Sequence, residues 1–323
     1  MMRSGFAVAT YVAAVLAAFA MGSELRAEPP VVGITQITEH PALDAVRKGV
    51  VDELAARGIA ADKDFKLVYE NAQGNPANAT QITRRFAGLA PKVIVGISTV
   101  SAQQLSATIK NVPIVFGAVT DPVAAGLLKE TARPEGNVTG VSSLAPIGQQ
   151  LDLLLKIVPN VKSIGVLHNP GEANSVVLVA LLKKEAEKRG LSVREAAVTT
   201  SAENGTAARS LVGRVDAIYV PNDNTVVQGI EAIIKVANDS KIPVLAGDTG
   251  SVERGALASV GFSYYDIGRE VGDRVYKLLN GAKIADIPVQ QVQKLEVYLN
   301  DKAAAALGVK LPESVKQDAK KIY

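Results

Sequence analysis

The chain contains no cysteine and no tryptophan, and only 4% of its 323 residues are aromatic. Without cysteine there are no disulfides, thiolate metal ligands or thiol nucleophiles, and no lipidated cysteine of the kind that tethers exported bacterial proteins. So few aromatics argue against a broad stacking platform. Charge of one sign is also scarce. The formal net charge is +3, and Lys and Arg are scattered, with no basic run near stackable aromatics, so the footprint of a nucleic-acid partner is missing. Histidine is limited to His40 and His168. His40, just before Pro41, reads as a helix cap or surface residue; His168, at a strand end, has no nucleophile–base–acid set around it. Gly33 and Gly165 lack the Gly-x-Gly-x-x-Gly context of a dinucleotide site, and no His/Asp/Glu spacing suggests a metal. The chain therefore does not read as an enzyme, and neither cofactor nor metal is expected.

What is present is a 48% hydrophobic, 21% charged composition, ordinary for a soluble protein long enough for two domains. At the N-terminus Arg3 precedes an apolar stretch, Phe6 to Met21, broken only by Thr10 and followed by Gly22-Ser23. This is the pattern of a secretory signal peptide over residues 1–27, with cleavage expected after Ala20 or Ala27. A retained anchor fits less well, since a span wants about 20 apolar residues. The mature protein is expected to start near Glu28, free in the periplasm, unlipidated, not inserted in the membrane, and monomeric.

From Val31 onward strand and helix patterns alternate. Val31–Ile34, Lys66–Tyr69, Val93–Ile97 and Pro113–Phe116 read as strands. Between them lie helical stretches starting at Pro41, at Pro76 (to Leu89) and at Ser101, the first stopped by Gly58. Near-continuous apolar strands alternating with helices predict a parallel sheet covered on both faces. The series then restarts. Ser163–Leu167, Leu191–Val193, Ala217–Val220 and Ile242–Ala246 read as strands, with helices over Ser175–Arg189, Ala202–Val212 and from Val226 onward. Gly33 to Gly58 and Gly165 to Gly190 are both offset by 132 residues (165 − 33 and 190 − 58), which implies a doubled fold.

The fold class predicted is therefore α/β, two similar lobes facing a cleft. Ligands of open α/β sheets bind beyond the carboxyl ends of the strands. In the first lobe those ends carry Thr35-Gln36, Asn71, Ser98-Thr99 and Thr120-Asp121. In the second they carry His168-Asn169, Asn174-Ser175, Asn222-Asp223-Asn224 and Asp248-Thr249. Hydroxyls at helix starts suit a carboxylate and an aspartate suits an ammonium, so a small zwitterion is the expected ligand. Asp121, ahead of Pro122, reads as a ligand contact or as the cap of a helix that follows. Phe116, at a strand end, reads as core or as pocket lining. After Gly261 a helical pattern runs from Ile267 to Leu279, stopped by Gly281, followed by a strand over Leu295–Leu299. This predicts a first lobe of residues 28–143 and 262–290, and a second of 144–261 and 291–323, joined by a multi-strand hinge.

Several runs resemble a known family. They are Val32-Gly33-Ile34-Thr35-Gln36-Ile37 with Glu39-His40-Pro41-Ala42-Leu43-Asp44, Ala118-Val119-Thr120-Asp121-Pro122-Val123, Gly136-Asn137-Val138-Thr139-Gly140-Val141-Ser142, Asn169-Pro170-Gly171-Glu172-Ala173-Asn174-Ser175 and Val220-Pro221-Asn222-Asp223-Asn224-Thr225. Together they are similar to exported substrate-binding proteins of an ABC-transporter family with tryptophan- and phenylalanine-binding members. The resemblance implies a type I periplasmic-binding-protein fold, two Rossmann-like lobes that close on an aromatic or other hydrophobic amino acid by hinge motion. It implies a membrane permease with its ATPase as partner. It places Ser98 and Thr99, with Asn174 and Ser175, on the ligand carboxylate. Asp223 and Asp248 would hold the ammonium with Asn224 orienting them, and Thr35, Gln36 and Asp121 would complete the set. A periplasmic sensor subunit for another small ligand is the alternative function. A DNA-binding regulator on the same fold is disfavoured, because a secretory signal stands where its helix-turn-helix would be.

Overall fold

Buried runs of four to six residues, rich in Val and Ile, form the centres of two sheets in the computed structural model, which describes residues 28–323. The expected signal peptide and both cleavage positions lie outside the described residues. Among the described residues no helix is long and apolar enough to cross a membrane.

The first lobe is built from β1 (Val31–Gln36), α1 (Pro41–Ala56), β2 (Lys66–Asn71), α2 (Pro76–Leu89), β3 (Val93–Ile97), α3 (Thr99–Thr108), β4 (Ile114–Val119) and β5 (Val138–Ser142). The second takes α4 (Ile147–Ile157), β6 (Ser163–His168), α5 (Ala173–Glu187), β7 (Ser192–Ala197), α6 (Asn204–Leu211), β8 (Ala217–Val220), α7 (Asn224–Gln228), α8 (Ile230–Asp239), β9 (Val244–Ala246), α9 (Gly250–Glu253) and β10 (Ala258–Gly261). The chain then returns to the first lobe for α10 (Tyr264–Leu279) and β11 (Gln290–Gln291). It ends in the second with β12 (Glu296–Leu299), α11 (Asp301–Leu307), α12 (Glu313–Gln317) and β13 (Ala319–Ile322).

The sheets run β11-β5-β4-β3-β1-β2 and β13-β12-β10-β9-β8-β6-β7. Every pairing is parallel except β10 with β12. Parallel pairing demands crossover helices, and these cover both faces. The doubling is visible in the register: Gly33 of β1 lies opposite Ile94 of β3, and Gly165 of β6 opposite Ile218 of β8. Gly58 and Gly190 follow α1 and α5 with φ of 83° and 66°, the left-handed conformation that ends a helix cheaply only at glycine.

Two features depart from the periodicity. β5, α4 and β10 form where no element was expected. The helix expected to run unbroken from Val226 is split at Gly229 into α7 and α8. There Asn204 Nδ2 donates to the Val226 carbonyl at 2.9 Å, ending the short helix, and a Cβ on Gly229 would crowd that same amide. Phe116 is core, fully buried beneath Gly140, whose absent side chain leaves room for the ring. In the first lobe α1 and α10 pack backbone to backbone, since Gly49 and Gly268 meet where any Cβ would clash with a carbonyl oxygen. The sheet connections pass between lobes at residues 143–146, 262–263 and 292–295, next to the strand ends that face the cleft.

Candidate ligand-binding site

Between the lobes lies a small cavity walled by both. Its first-lobe wall begins at the turn from β3 into α3. Ser98 stands there at φ 86°, ψ 161°, a conformation that costs a non-glycine residue of order 1–3 kcal/mol. Its N–H is held by the Gly117 carbonyl at 2.9 Å. In β4 the register slips after Phe116, and Ala118, also on the wall, takes φ 56°. Two strained non-glycine residues thus face one cavity. The first ladder bond of α3 runs from Ala102 N to Ser98 O, so the earlier N–H groups of the helix lie outside its hydrogen-bond ladder and aim out of its start. His40 and Leu43 come from the start of α1, Thr120 and Ser143 from the ends of β4 and β5, and Tyr264 from the start of α10.

The second-lobe wall is held by a buried carboxylate. Glu172 Oε2 accepts from the Asn224 N–H at 3.1 Å, from Asn224 Nδ2 at 2.5 Å and from Asn174 Nδ2 at 3.1 Å. Its Oε1 accepts from the Thr225 N–H at 3.0 Å and the Thr225 hydroxyl at 2.8 Å. One side chain therefore fixes two wall amides and the start of α7. Asn222 adds a third amide, its Nδ2 donating to the Tyr264 hydroxyl across the lobes at 2.9 Å. Asp248, after β9, accepts from the Ser251 N–H at 2.9 Å and the Ser251 hydroxyl at 2.6 Å. Burial pushes its carboxyl above the usual range, so it gains from a cation in the cavity. Five buried wall atoms find no hydrogen-bond partner within the protein: His40 Nδ1, Ser98 Oγ, Thr99 Oγ1, Asn174 Oδ1 and Asn222 Oδ1. Native proteins pair nearly all such atoms, so a cluster of them around one cavity marks a polar ligand site.

Of the residues singled out in the sequence, Ser98, Thr99, Asn174, Asn224 and Asp248 meet at this cavity. Asp223 stands behind the wall instead of on it. Its Oδ2 accepts from the Asn169 N–H and its Oδ1 from the Val226 N–H at 2.9 Å, so it caps α7 and ties β6 to β8. Burial first, and the charge of Glu172 second, push its carboxyl up to about 7. Asp121 caps the turn after Pro122, accepting from the Val123 and Ala124 N–H groups at 3.0 and 2.9 Å. Gln36 turns back to the Thr38 carbonyl and to Asp44, both at 2.8 Å. Thr35 and Ser175 are buried but outside the lining. His168 pairs Glu195 at 3.3 Å, away from the cavity.

His40, Tyr264 and Glu172 were not legible as site residues. His40 occupies the cap position of α1 without capping it, and its ring is buried on the cavity wall. Burial, with Arg254 adding to it, lowers its pKa to about 3. Tyr264 enters only because the chain re-crosses between lobes. Glu172 acts through Asn174 and Asn224, a role that no spacing reveals.

Residues 31–323 match the model of the ABC transporter substrate-binding protein family. A protein of Clostridioides difficile described as tyrosine-binding is 38% identical over 276 residues, covering 85% of this chain and 80% of its own. An ABC domain from Streptococcus pneumonia solved in complex with L-Trp superposes with a TM-score of 0.88 at 36% identity, over 92% of this chain and 100% of that one. The ligand-free, open structure of a substrate-binding protein with adhesive properties from Clostridium difficile gives 0.69 at 39% identity, over 90% and 98%. The architecture is that of type I periplasmic binding proteins, and none of these relatives is an enzyme. With the whole described core matched and both lobes in place, the chain belongs to the ABC transporter substrate-binding protein family.

Proposed function

We propose that this protein is the exported, periplasmic receptor of an ABC importer, and that it captures an aromatic amino acid between its lobes and presents the closed form to a permease–ATPase partner. The observation that carries the reading is the ring of five unpartnered buried polar atoms, contributed by both lobes, around a cavity that also holds the buried carboxylate of Asp248. Ser98, Thr99 and the start of α3 take the ligand carboxylate, joined by Asn174 from the other lobe. Asp248 takes the ammonium through charge-assisted bonds. Leu43, Val227 and the Tyr264 ring supply the apolar surface for the side chain. The absence of tryptophan is no obstacle, because aliphatic groups and one tyrosine can pack a ring.

Two comparisons support the reading. Relatives above one-third identity are described as binding tyrosine or are solved with L-Trp. The chain also superposes much better on the L-Trp complex than on the open, ligand-free relative of similar identity, as a closed form would. Closure about the three connecting segments brings both halves of the site together, and the ligand favours that state because only there does it touch both.

A thermal-shift screen of the mature protein against L- and D-amino acids tests the proposal. At a hundredfold excess over Kd, binding adds about 2.7 kcal/mol to folding stability. L-tyrosine, L-tryptophan or L-phenylalanine is expected to raise the Tm, and Asp248→Asn to remove the rise. No response to any amino acid, with a rise from a ligand lacking an amino group, would refute it.

A further inference from the structure

Helix α4 carries a single polar side chain on its buried face, Gln150, set among Ile147, Leu151, Leu153, Leu154 and Ile157. Burying an amide is costly unless its hydrogen bonds are made, and here they are. Gln150 Nε2 donates to the Gly247 carbonyl at 3.0 Å and to the Val260 carbonyl at 2.7 Å, which commits both of its hydrogens. Its Oε1 accepts from the Tyr219 hydroxyl of β8 at 2.7 Å. An apolar side chain would fill the same face without that cost, so packing alone does not account for the glutamine.

The two carbonyls lie where the sheet stops supporting the chain. Strands β9 and β10 pair only through Leu245 and Ala258; beyond them β10 continues along β12, while β9 ends at Ala246. Gln150 therefore bridges two strand ends whose own ladder has run out. Gly247 is the residue just before Asp248. Its N–H donates to the Val220 carbonyl at 2.8 Å, and a Cβ on it would collide with the Asn222 amide oxygen. The Gly247 carbonyl and the Asp248 N and Cα share one rigid peptide plane. The group that holds the carbonyl thus sets the point from which the Asp248 carboxylate reaches the cavity, and Ser251 holds the carboxylate itself.

We propose that Gln150 is a positioning residue for ligand binding: by clamping the Gly247–Asp248 peptide it aims the Asp248 carboxylate at the ligand ammonium, and Tyr219 acts through it. The inference rests on the amino-acid reading given above and extends it to two fully buried residues outside the cavity lining. Their place in the fold suits the role. Helix α4 follows the first passage between lobes, and Val260 lies two residues before the second, so the clamp ties the ammonium site to both. A charge-assisted bond is directional, and a binding group has to be held within about 0.5 Å of its working position.

Isothermal titration of the mature protein with L-tyrosine, arranged as a double-mutant cycle, tests the proposal. Gln150→Met, similar in volume but without the amide, is expected to raise Kd about tenfold. In the Asp248→Asn background, where there is no charge to aim, the same substitution is expected to raise Kd less than about twofold. A purely structural role gives the same factor in both backgrounds, because a loosened lobe weakens binding whatever stands at position 248. Tyr219→Phe keeps the glutamine and removes only the hydroxyl that holds it, so it carries the test should Gln150→Met not fold, as unliganded Tm values will show. It is expected to raise Kd about threefold beside Asp248, and to have no effect in the Asp248→Asn background. Equal factors in the two backgrounds, or an unchanged Kd in both Gln150→Met and Tyr219→Phe, would overturn the proposal. Wild type binding no amino acid, or Asp248→Asn binding as tightly as wild type, is a separate result, and it refutes the functional reading itself.

Discussion

Asp248 and Asp223 are both buried carboxylates at strand ends of the second lobe, and their hydrogen bonds separate their roles. Asp223 spends both oxygens on backbone N–H groups, whereas Asp248 is bonded only to Ser251 and stands on the cavity wall. Asp248→Asn is expected to weaken amino-acid binding at least thirtyfold, since losing one partner of a buried charged pair costs about 2–5 kcal/mol. The unliganded Tm is expected to be no lower, because a buried carboxylate without its cation is replaced by a neutral amide. Asp223 should report through pH. Its carboxyl is raised from 3.8 to about 7, so its contribution to stability is complete below 3.8 and is lost as pH rises through 7. Thermal melts at pH 5 and 8 are expected to show wild type losing stability relative to Asp223→Asn as pH rises; a constant difference would mean that the carboxyl is not raised. Sequence could nominate both aspartates because both follow apolar strands. It could not divide them, since the division depends on Asn169, which approaches Asp223 only in the folded lobe.

Helices α1 and α10 join where Gly49 and Gly268 leave no room for a side chain. A Cβ on Gly268 would lie 2.1 Å from the Val46 carbonyl oxygen and 2.8 Å from the Gly49 Cα. Backbone cannot yield as a side-chain tip can, so Gly268→Ala is expected to destabilise the protein by about 3 kcal/mol, at the upper end of overpacking costs. Urea unfolding with an unchanged m-value would show this as a lower midpoint; a midpoint within error of wild type would mean that the helices part freely. The strand–helix alternation and its doubling were readable because buried parallel strands leave continuous apolar runs between helical periods. β5 and β10 were not, because Val138–Ser142 and Ala258–Gly261 mix glycine, serine and threonine with few apolar residues and become strands only through their sheet neighbours. The break at Gly229 is illegible for a similar reason, as the Asn204 amide that ends α7 comes from another helix.

Taken whole, the molecule places its ligand groups so that neither lobe has a complete site. Ser98, Thr99 and His40 belong to one, and Asn174, Asn224 and Asp248 to the other. Solution scattering should therefore show a smaller radius of gyration when L-tyrosine or L-tryptophan is added, and no change with Asp248→Asn. An identical radius with saturating ligand would rule out closure. The two-lobed plan was legible from the 132-residue offset and from polar residues at strand ends, but the wall contributed by Tyr264 depends on the second passage between lobes, which local periodicity does not encode.

A crystal structure grown with L-tyrosine measures both the position and the polarity of an amino acid in the cleft. The ligand carboxylate is expected against Ser98, Thr99 and Asn174, the ammonium on Asp248, and the ring beside Leu43, Val227 and Tyr264. An amino acid bound elsewhere, or bound with its ammonium away from Asp248, would contradict it.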